Sequence, residues 1–325
     1  MADPYVAQTD RAWFQFLSER ADWRRVPDRG FVDEANFWMP RAQRPFANLV
    51  PGQPVFLRLK APEHKIAGVG YYAAFHSLAL SEAWSLFEWR NGCDSYASFR
   101  HRLVRLGHEP AEEAQSERRV GCVVLANVEL WEQRRWIPWG DLEEFSPNTQ
   151  QGKFVRDARQ AAMLLAATEP SLGVAAPEFA ERFSLVTADG RRWRDAAAQA
   201  ARDGQGAFRL RLLDAYGRQC AITGEHTEPV LDAAHIQPYL GRASNHVQNG
   251  LVLCKEFHTL FDRGYVTVTP ELRVRVSPLL RAEYSNGRRY YPYDDQPLAT
   301  LPKDARLQPS REALDWHGRH VFRAG

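Results

Sequence analysis

The stretch Val230–Gly264 reads VLDAAHIQPYLGRASNHVQNGLVLCKEFHTLFDRG, and it decides the fold of the C-terminal part of the chain. Val230–Ile236 is apolar and rich in β-branched residues, which predicts a strand, and Gln237–Gln248 predicts a polar loop. Leu251–Leu253 predicts a second short strand, and Lys255–Asp262 has the spacing of a helix. The pattern therefore predicts a small ββα unit.

This unit collects residues suited to one kind of chemistry. His235 ends the first strand, Asn249 closes the loop, and His258 lies on the helix. A neutral histidine suits a general base, and an asparagine amide can hold its ring in one orientation. His258 and Asp262 are spaced i,i+4, so they share a helix face and can hold a divalent metal. A base together with a metal is what hydrolysis of a phosphodiester needs.

The same residues resemble the HNH nuclease family, in the variant with the signature A-A-H-I-x-P, N-G-L and H-x-L-F-D-x-G. The three motifs occur in order at 233–238, 249–251 and 258–264. The resemblance implies an HNH endonuclease in which His235 is the general base, Asn249 orients it, and His258 is a metal ligand. It also implies Mg²⁺ or Mn²⁺ as cofactor, because both ions prefer oxygen-rich coordination.

One position departs from the family. Many members place a carboxylate or a second histidine directly before the base, and this chain has Ala234 there. Asp232, two residues earlier on the same strand face, is one substitute. Asp262 is another, so the sequence leaves open which carboxylate completes the metal site. A degenerate, inactive nuclease fold is the alternative.

The N-terminal half resembles the PUA-like β-barrels of the EVE and ASCH type. The residues that carry the likeness read NFW-x-P, PG-x-P-x-F-x-L-K-A-P, I-x-G-x-G-Y-Y, A-W and N-G-C between residues 36 and 93. The resemblance implies a nucleic-acid-reading domain that holds a flipped, modified base. The predicted pocket residues are Asn36, Trp38, Tyr71, Tyr72 and Trp139. The alternative for each aromatic residue is an ordinary place in the barrel core.

The predicted fold class is α+β, with an N-terminal PUA-like barrel and flanking helices, a helical connector, and a C-terminal ββα-metal HNH module. The predicted domains are 1–147, 148–205 and 206–325. Residues 5–25 are predicted to be helical because Trp13, Phe16 and Leu17 follow helical spacing. His226 and His246 lie in loops and are expected to be exposed.

Composition limits the function classes. With 44% hydrophobic and 25% charged residues, the chain is typical of a globular protein, and it has no apolar run of the ~18 residues that a membrane helix needs. No secretory signal is recognised at the N-terminus, so a cytoplasmic location is predicted. The four cysteines form no C-x-x-C pair, so no structural zinc is expected and all four are predicted to be buried or free thiols.

The net charge of +2 predicts no global basic field for nucleic acid. Arg209, Arg211 and Arg218 precede the ββα unit and are candidate DNA phosphate contacts, with plain solvent exposure as the alternative. The sequence thus predicts a DNA endonuclease of the restriction and phage-defence type, acting on double-stranded and modified DNA. Alternatives are a conventional restriction enzyme on unmodified DNA and a nuclease-dead binding protein. A homodimer is expected, because one HNH site handles one strand at a time.

Overall fold

The computed structural model describes most of the chain, in several stretches. They are residues 3–40, 49–107, 119–138, 152–168, 179–180, 182–186 and 205–325. The chain divides into two compact units, Met1–Ala175 and Ala176–Gly325. In the described stretches no helix is long and apolar enough to cross a membrane.

A large mixed sheet forms the centre of the N-terminal unit. Its strands are β1 (Tyr5–Thr9), β2 (Asp22–Val26), β3 (Arg29–Met39), β4 (Pro54–Leu59), β5 (Lys65–Ala79), β6 (Arg119–Trp131), β7 (Ile137–Pro138) and β8 (Gly152–Phe154). The order across the sheet is β2-β3-β6-β5-β4-β1-β8, and β7 pairs with β5. Only β1 and β4 run parallel, with Tyr5 opposite Val55, and every other pairing is antiparallel.

Strand β6 lies inside this sheet, between β3 and β5, and is buried over almost its whole length. Strands with both faces covered read as continuous apolar runs, and the sequence of β6 is mostly apolar. One face packs in a cluster that contains Trp13 and Leu17 of helix α1 (Arg11–Ser18). Another apolar cluster contains Phe56 and Trp131, together with Leu164 of helix α4 (Ala158–Ala166).

The prediction of one helix over residues 5–25 is wrong. The segment is β1, the eight-residue helix α1 and β2. Asp10 begins α1, because its carboxylate accepts a hydrogen bond from the backbone N–H of Trp13 at 3.0 Å. The β1 residues pair with β4, which lies some 50 residues later, and local helical spacing carries no information on that pairing.

Two further helices follow β5. They are α2 (Leu80–Phe87) and α3 (Tyr96–Gly107). Together with the sheet they confirm the α+β class, whereas the closure of a barrel stays a prediction. Within the predicted connector, β8 pairs with β1 and α4 packs in the N-terminal unit. The domain boundaries at 147 and 205 also stay predictions.

The C-terminal unit is built around the predicted ββα arrangement. Its helices are α5 (Gln205–Ala215), α6 (Lys255–Asp262), α7 (Leu279–Tyr284) and α8 (Arg311–His320). Its strands form two hairpins, β9 (Leu231–His235) with β10 (Gly250–Cys254), and β11 (Val266–Val268) with β12 (Val274–Val276). One apolar core joins these helices and strands, with Phe208, Leu251 and Phe261 among its buried members. This core fixes the hairpin β9–β10 between α5 and α6.

Candidate active site

The hairpin β9–β10 and helix α6 bring the predicted site residues together. On β9, Asp232 pairs with Leu253, and His235 pairs with Gly250 at the other end of the ladder. Helix α6 carries His258 and Asp262. The positive charge of His258 acts on His235, so the two histidines belong to one electrostatic environment.

We call the surroundings of His235 the base side. The ring is stacked on Phe208, with ring centroids 4.1 Å apart and planes at 9°, and it meets the edge of Tyr239 at 6.0 Å. Its Nε2 lies 3.0 Å from Oδ1 of Asn245. Burial lowers the pKa of His235 to about 4, against the opposing effect of the Asn245 hydrogen bond, and the charge of His258 lowers it further. The imidazole is therefore neutral at physiological pH and can accept a proton.

Gly250 makes the base side possible. A Cβ atom at this position would lie 2.4 Å from Leu212 and 2.8 Å from Phe208 of α5. A side chain at this position would have to displace the ends of the Leu212 and Phe208 side chains, and Phe208 is the ring that stacks on His235. The Asn-Gly dipeptide in the sequence thus has a packing function beyond its turn.

We call the surroundings of His258 the acidic side. Its Nδ1 lies 3.4 Å from Oδ2 of Asp232, and its Nε2 lies 3.4 Å from Oδ2 of Asp262. Burial works to lower the pKa of His258, but the hydrogen bond to Asp232 and the charges of Asp262 and Asp232 raise it overall. The hydrogen bond from His258 lowers the pKa of Asp232, whereas burial raises the pKa of Asp262. Asp232 is thus held as a carboxylate.

Arg209 belongs to this acidic side. Its guanidinium donates to the backbone oxygen of Leu231 at 2.5 Å and lies 3.4 Å from Oδ1 of Asp232. The sequence predicts Arg209 as a DNA phosphate contact. In the folded chain it contacts a candidate metal ligand, so it orients Asp232 and balances part of its charge.

Asn245 is the side chain that hydrogen-bonds to the His235 ring, whereas Asn249, which the sequence predicts to orient this ring, bonds to other groups. Asn249 is fully buried. Its Oδ1 accepts from the N–H of Gln237 at 2.8 Å, and its Nδ2 donates to the oxygens of Gln237 and Ser244, both at 2.9 Å. These three bonds tie the two ends of the loop together. The Asn249 side chain therefore makes no direct hydrogen bond to His235, and its predicted part in catalysis stays a prediction.

The departure at Ala234 has a packing explanation. Ala234 is fully buried in the core of the C-terminal unit, opposite Leu251 on β10. A charged ligand at this position would lose its hydration inside that core. Asp232 and Asp262, which both contact His258, are the candidates to complete a metal site.

Two predicted phosphate contacts are engaged with other side chains. The Arg211 guanidinium lies over the ring of Phe179, 4.6 Å from its centroid. Arg218 forms an ion pair with Glu228 and lies 3.8 Å from Asp214. Contact of either arginine with DNA stays a prediction.

His246 is buried, and the expectation that it is exposed is wrong. Its Nε2 bonds to the backbone oxygen of Ala180 at 2.7 Å, and its Nδ1 accepts from the N–H of Gln248 at 3.1 Å. Its two ring nitrogens thus fix the loop that follows Asn245. The surrounding sequence offers no periodic pattern that distinguishes it from an exposed loop histidine.

Some of the residues predicted for the base pocket lie together in the N-terminal unit. Asn36 is fully buried, and its Nδ2 donates to Oδ1 of Asn91 at 2.9 Å and to Sγ of Cys122 at 3.3 Å. The indole of Trp38 donates to the backbone oxygen of the same Asn91 at 2.8 Å. Tyr72 packs in the cluster that Trp38 contacts.

The remaining predicted pocket residues are Tyr71 and Trp139. Tyr71 is buried. Trp139 lies outside the described residues. The role of all five residues in reading a base stays a prediction.

All four cysteines are free thiols and buried, as predicted. Sγ of Cys220 accepts from the N–H of Cys254 at 3.3 Å, and Sγ of Cys254 lies 3.4 Å from the hydroxyl of Thr223. Burial raises the pKa of the Cys254 thiol to about 11. The Cys254 thiol therefore packs as a protonated core residue.

Residues 220–269 match the model of an HNH endonuclease family, HNH_2. The chain carries an HNH endonuclease domain. The match contains β9, β10 and α6, and with them His235, His258 and both aspartates of the candidate site. It confirms the endonuclease that the three sequence motifs predict. A search of curated proteins found no match.

Solved structures show weaker similarities. ASCH from Zymomonas mobilis is 12% identical over 49% of this chain and 93% of its own, with a TM-score of 0.31. A mutant of that protein is 12% identical over 50% and 97%, with a TM-score of 0.33. TagI, a modification-dependent restriction endonuclease, is 14% identical over 93% of this chain and 78% of its own, with a TM-score of 0.26. These TM-scores are too low to establish a shared fold.

Proposed function

We propose that the chain is a metal-dependent DNA endonuclease of the restriction type, with His235 as the general base. The observation that carries this function is the position of His235, stacked on Phe208 and bonded to Asn245, inside the segment that matches the HNH family. Nδ1 of His235 takes a proton from water, and the resulting hydroxide attacks the phosphorus in line. The products are a 5′ phosphate and a 3′ hydroxyl.

On the acidic side, His258 together with either aspartate has the spacing of two ligands of one divalent ion. A separation of 3.4 Å between His258 and either carboxylate suits two ligands that each lie ~2.1 Å from a common ion. Among the described residues, however, no group of three His, Cys, Asp or Glu side chains is arranged around one ion. His258 and one carboxylate would therefore hold Mg²⁺ or Mn²⁺, with water and phosphate oxygens completing its coordination.

When bound, such an ion supplies neutralisation of charge on the scissile phosphate and on the leaving 3′ oxygen. The chain's own residues keep a metal-binding carboxylate ionised and position the general base. Asp232 is kept ionised by the hydrogen bond from His258 and by Arg209. Phe208 is stacked on one face of the His235 ring and holds its plane, so the ring nitrogens keep a fixed direction.

We further propose that the N-terminal unit selects modified DNA. Asn36 supports this role, because its Oδ1 is buried and has no hydrogen-bond donor, although a buried carbonyl oxygen is normally paired. A flipped cytosine carries an exocyclic amine that could satisfy it. The resemblance of the surrounding sequence to base-reading domains supports the same role.

A cleavage assay tests both parts. Matched plasmids with unmodified, methylated, hydroxymethylated and glucosylated cytosine are incubated with Mg²⁺, Mn²⁺ or chelator, and His235→Ala serves as control. Cutting of modified DNA alone, lost in the variant and in chelator, is expected. Equal cutting of all plasmids would leave a conventional nuclease and remove the reading role. Binding without cutting would favour a nuclease-dead protein.

A further inference from the structure

The His235 imidazole has two nitrogens, and only one can carry the proton while the ring is neutral. The hydrogen-bond partner of Nε2 is Oδ1 of Asn245, at 3.0 Å. An amide oxygen accepts hydrogen bonds and cannot donate them. Nε2 therefore carries the proton, and Nδ1 carries the lone pair that a general base needs.

The other contacts of the His235 ring do not determine which of its nitrogens carries the proton. Phe208 is stacked on one face, and Tyr239 meets the ring edge-on. Aromatic contacts of this kind hold the plane of the ring and do not select the protonated nitrogen. A reversed amide at Asn245 would donate to Nε2 and move the proton to Nδ1, which would block the base.

The backbone on both sides of Asn245 is anchored. The oxygen of Ser244, directly before it, accepts from Nδ2 of Asn249 at 2.9 Å. His246, directly after it, bonds through its ring to Ala180 and to the N–H of Gln248. Asn245 itself is buried, with 6% of its surface exposed. The loop therefore presents the Asn245 amide to His235 from a fixed position.

We propose that Asn245 is the positioning residue of the general base, a role that rests on the endonuclease function proposed above. Its amide oxygen fixes the Nε2-protonated tautomer of His235 and leaves Nδ1 to accept the proton of water. Asn249 acts one step further out, because it anchors the peptide that carries Asn245 and does not contact the imidazole.

Imidazole ¹⁵N NMR tests this role independently of cleavage. The full-length protein is labelled at histidine, and His235→Gln identifies the His235 signals among those of the ten histidines. The native chain at neutral pH should show His235 as a single Nε2-protonated tautomer. Asn245→Ala should give a mixture of tautomers, and Asn245→Asp, which keeps the acceptor oxygen, should keep the single tautomer. An unchanged tautomer in Asn245→Ala would overturn the role.

Steady-state cleavage gives the second readout. Asn245→Ala should lower kcat by ~10- to 100-fold, the usual effect of removing an orienting partner, with little change in KM for DNA. Asn245→Asp should recover most of the rate. Exposed Asn286→Ala serves as a matched control and should leave both constants unchanged. Equal losses in the Ala and Asp variants would contradict an acceptor role.

The two proposals fail in different ways. If native His235 shows the expected tautomer and DNA is not cut, the endonuclease function falls and the role of Asn245 in fixing the ring stands. If DNA is cut and Asn245→Ala changes neither tautomer nor rate, the role of Asn245 falls. If Asn245→Ala does not fold, loss of the single tautomer in Asn245→Asp would overturn the role.

Discussion

The base side and the acidic side of the site use the same residue type in opposite ways. His235 lies against Phe208, and burial lowers its pKa to about 4. His258 lies between Asp232 and Asp262, which raise its pKa against the effect of burial. Environments that push the pKa values of neighbouring groups apart assign them different roles. The comparison shows that the surroundings, and not the residue type, give the two histidines opposite pKa shifts, which suits them to the different roles proposed for them.

The largest expected effect is on the cleavage rate, and it distinguishes the base side from the acidic side. His235→Ala should reduce the cleavage rate by ~10²- to 10⁴-fold, because it removes the general base. Affinity for Mn²⁺ should not change, since the acidic side stays intact. Single-turnover cleavage and isothermal titration measure the two quantities. A parallel loss of metal affinity would show that the two sides are not separate.

The second-largest effect is expected on metal binding rather than on the cleavage step itself. His258→Ala should weaken Mn²⁺ binding by more than about tenfold, because even outer-shell partners of a metal ligand contribute that much. Cleavage at low metal concentration should fall with it and recover in part at high concentration. Titration and a metal-dependent rate series check this. Unaltered binding in the variant would remove His258 from the metal site.

A matched pair of variants decides between the carboxylates. Asp232→Asn should weaken Mn²⁺ binding by ~10-fold, because Asp232 is held as a carboxylate on a strand. Asp262→Asn should have a smaller effect, since Asp262 is the last residue of α6 and its raised pKa makes it a weaker anionic ligand than Asp232. Both are measured by titration against the native chain. The reverse order would assign the site to Asp262.

The last prediction concerns stability and uses a third histidine in the same unit. His317 is buried and stacked on Phe261, with centroids 3.7 Å apart, and burial lowers its pKa to about 3. The unfolded chain binds this proton first, so the stability contributed by neutral His317 is complete above its ordinary pKa and is lost as the pH falls towards 3. The free energy of unfolding should fall by up to about 1.4 kcal/mol for each pH unit in this window.

Urea unfolding between pH 7 and pH 4 measures that slope. His317→Gln should be less stable at pH 7 and should show a shallower dependence on pH than the native chain. A steeper dependence on pH in the native chain than in the variant would show that burial alone, without any active-site neighbour, lowers the pKa of His317. An identical slope in the variant would contradict it.

The sequence by itself determined the elements whose information is local. Periodicity and the Asn-Gly dipeptide predict β9, β10 and α6, and the predicted helix Lys255–Asp262 has the same bounds in the structure. The spacing of His235 and His258 in this unit predicts their common site. The apolar run of β6 is typical of a buried strand, because burial of both faces requires apolar residues along most of the length.

Only the tertiary structure decided which side chains contact one another across the chain. Pairing with β4 makes Tyr5–Thr9 a strand, and packing in the core explains Ala234. Loop geometry gives the His235 contact to Asn245 in place of Asn249. The opposite pKa shifts of His235 and His258 also depend on burial and on charges brought together by folding. Local patterns specify elements, whereas partners and protonation depend on distances that exist only after the elements have packed.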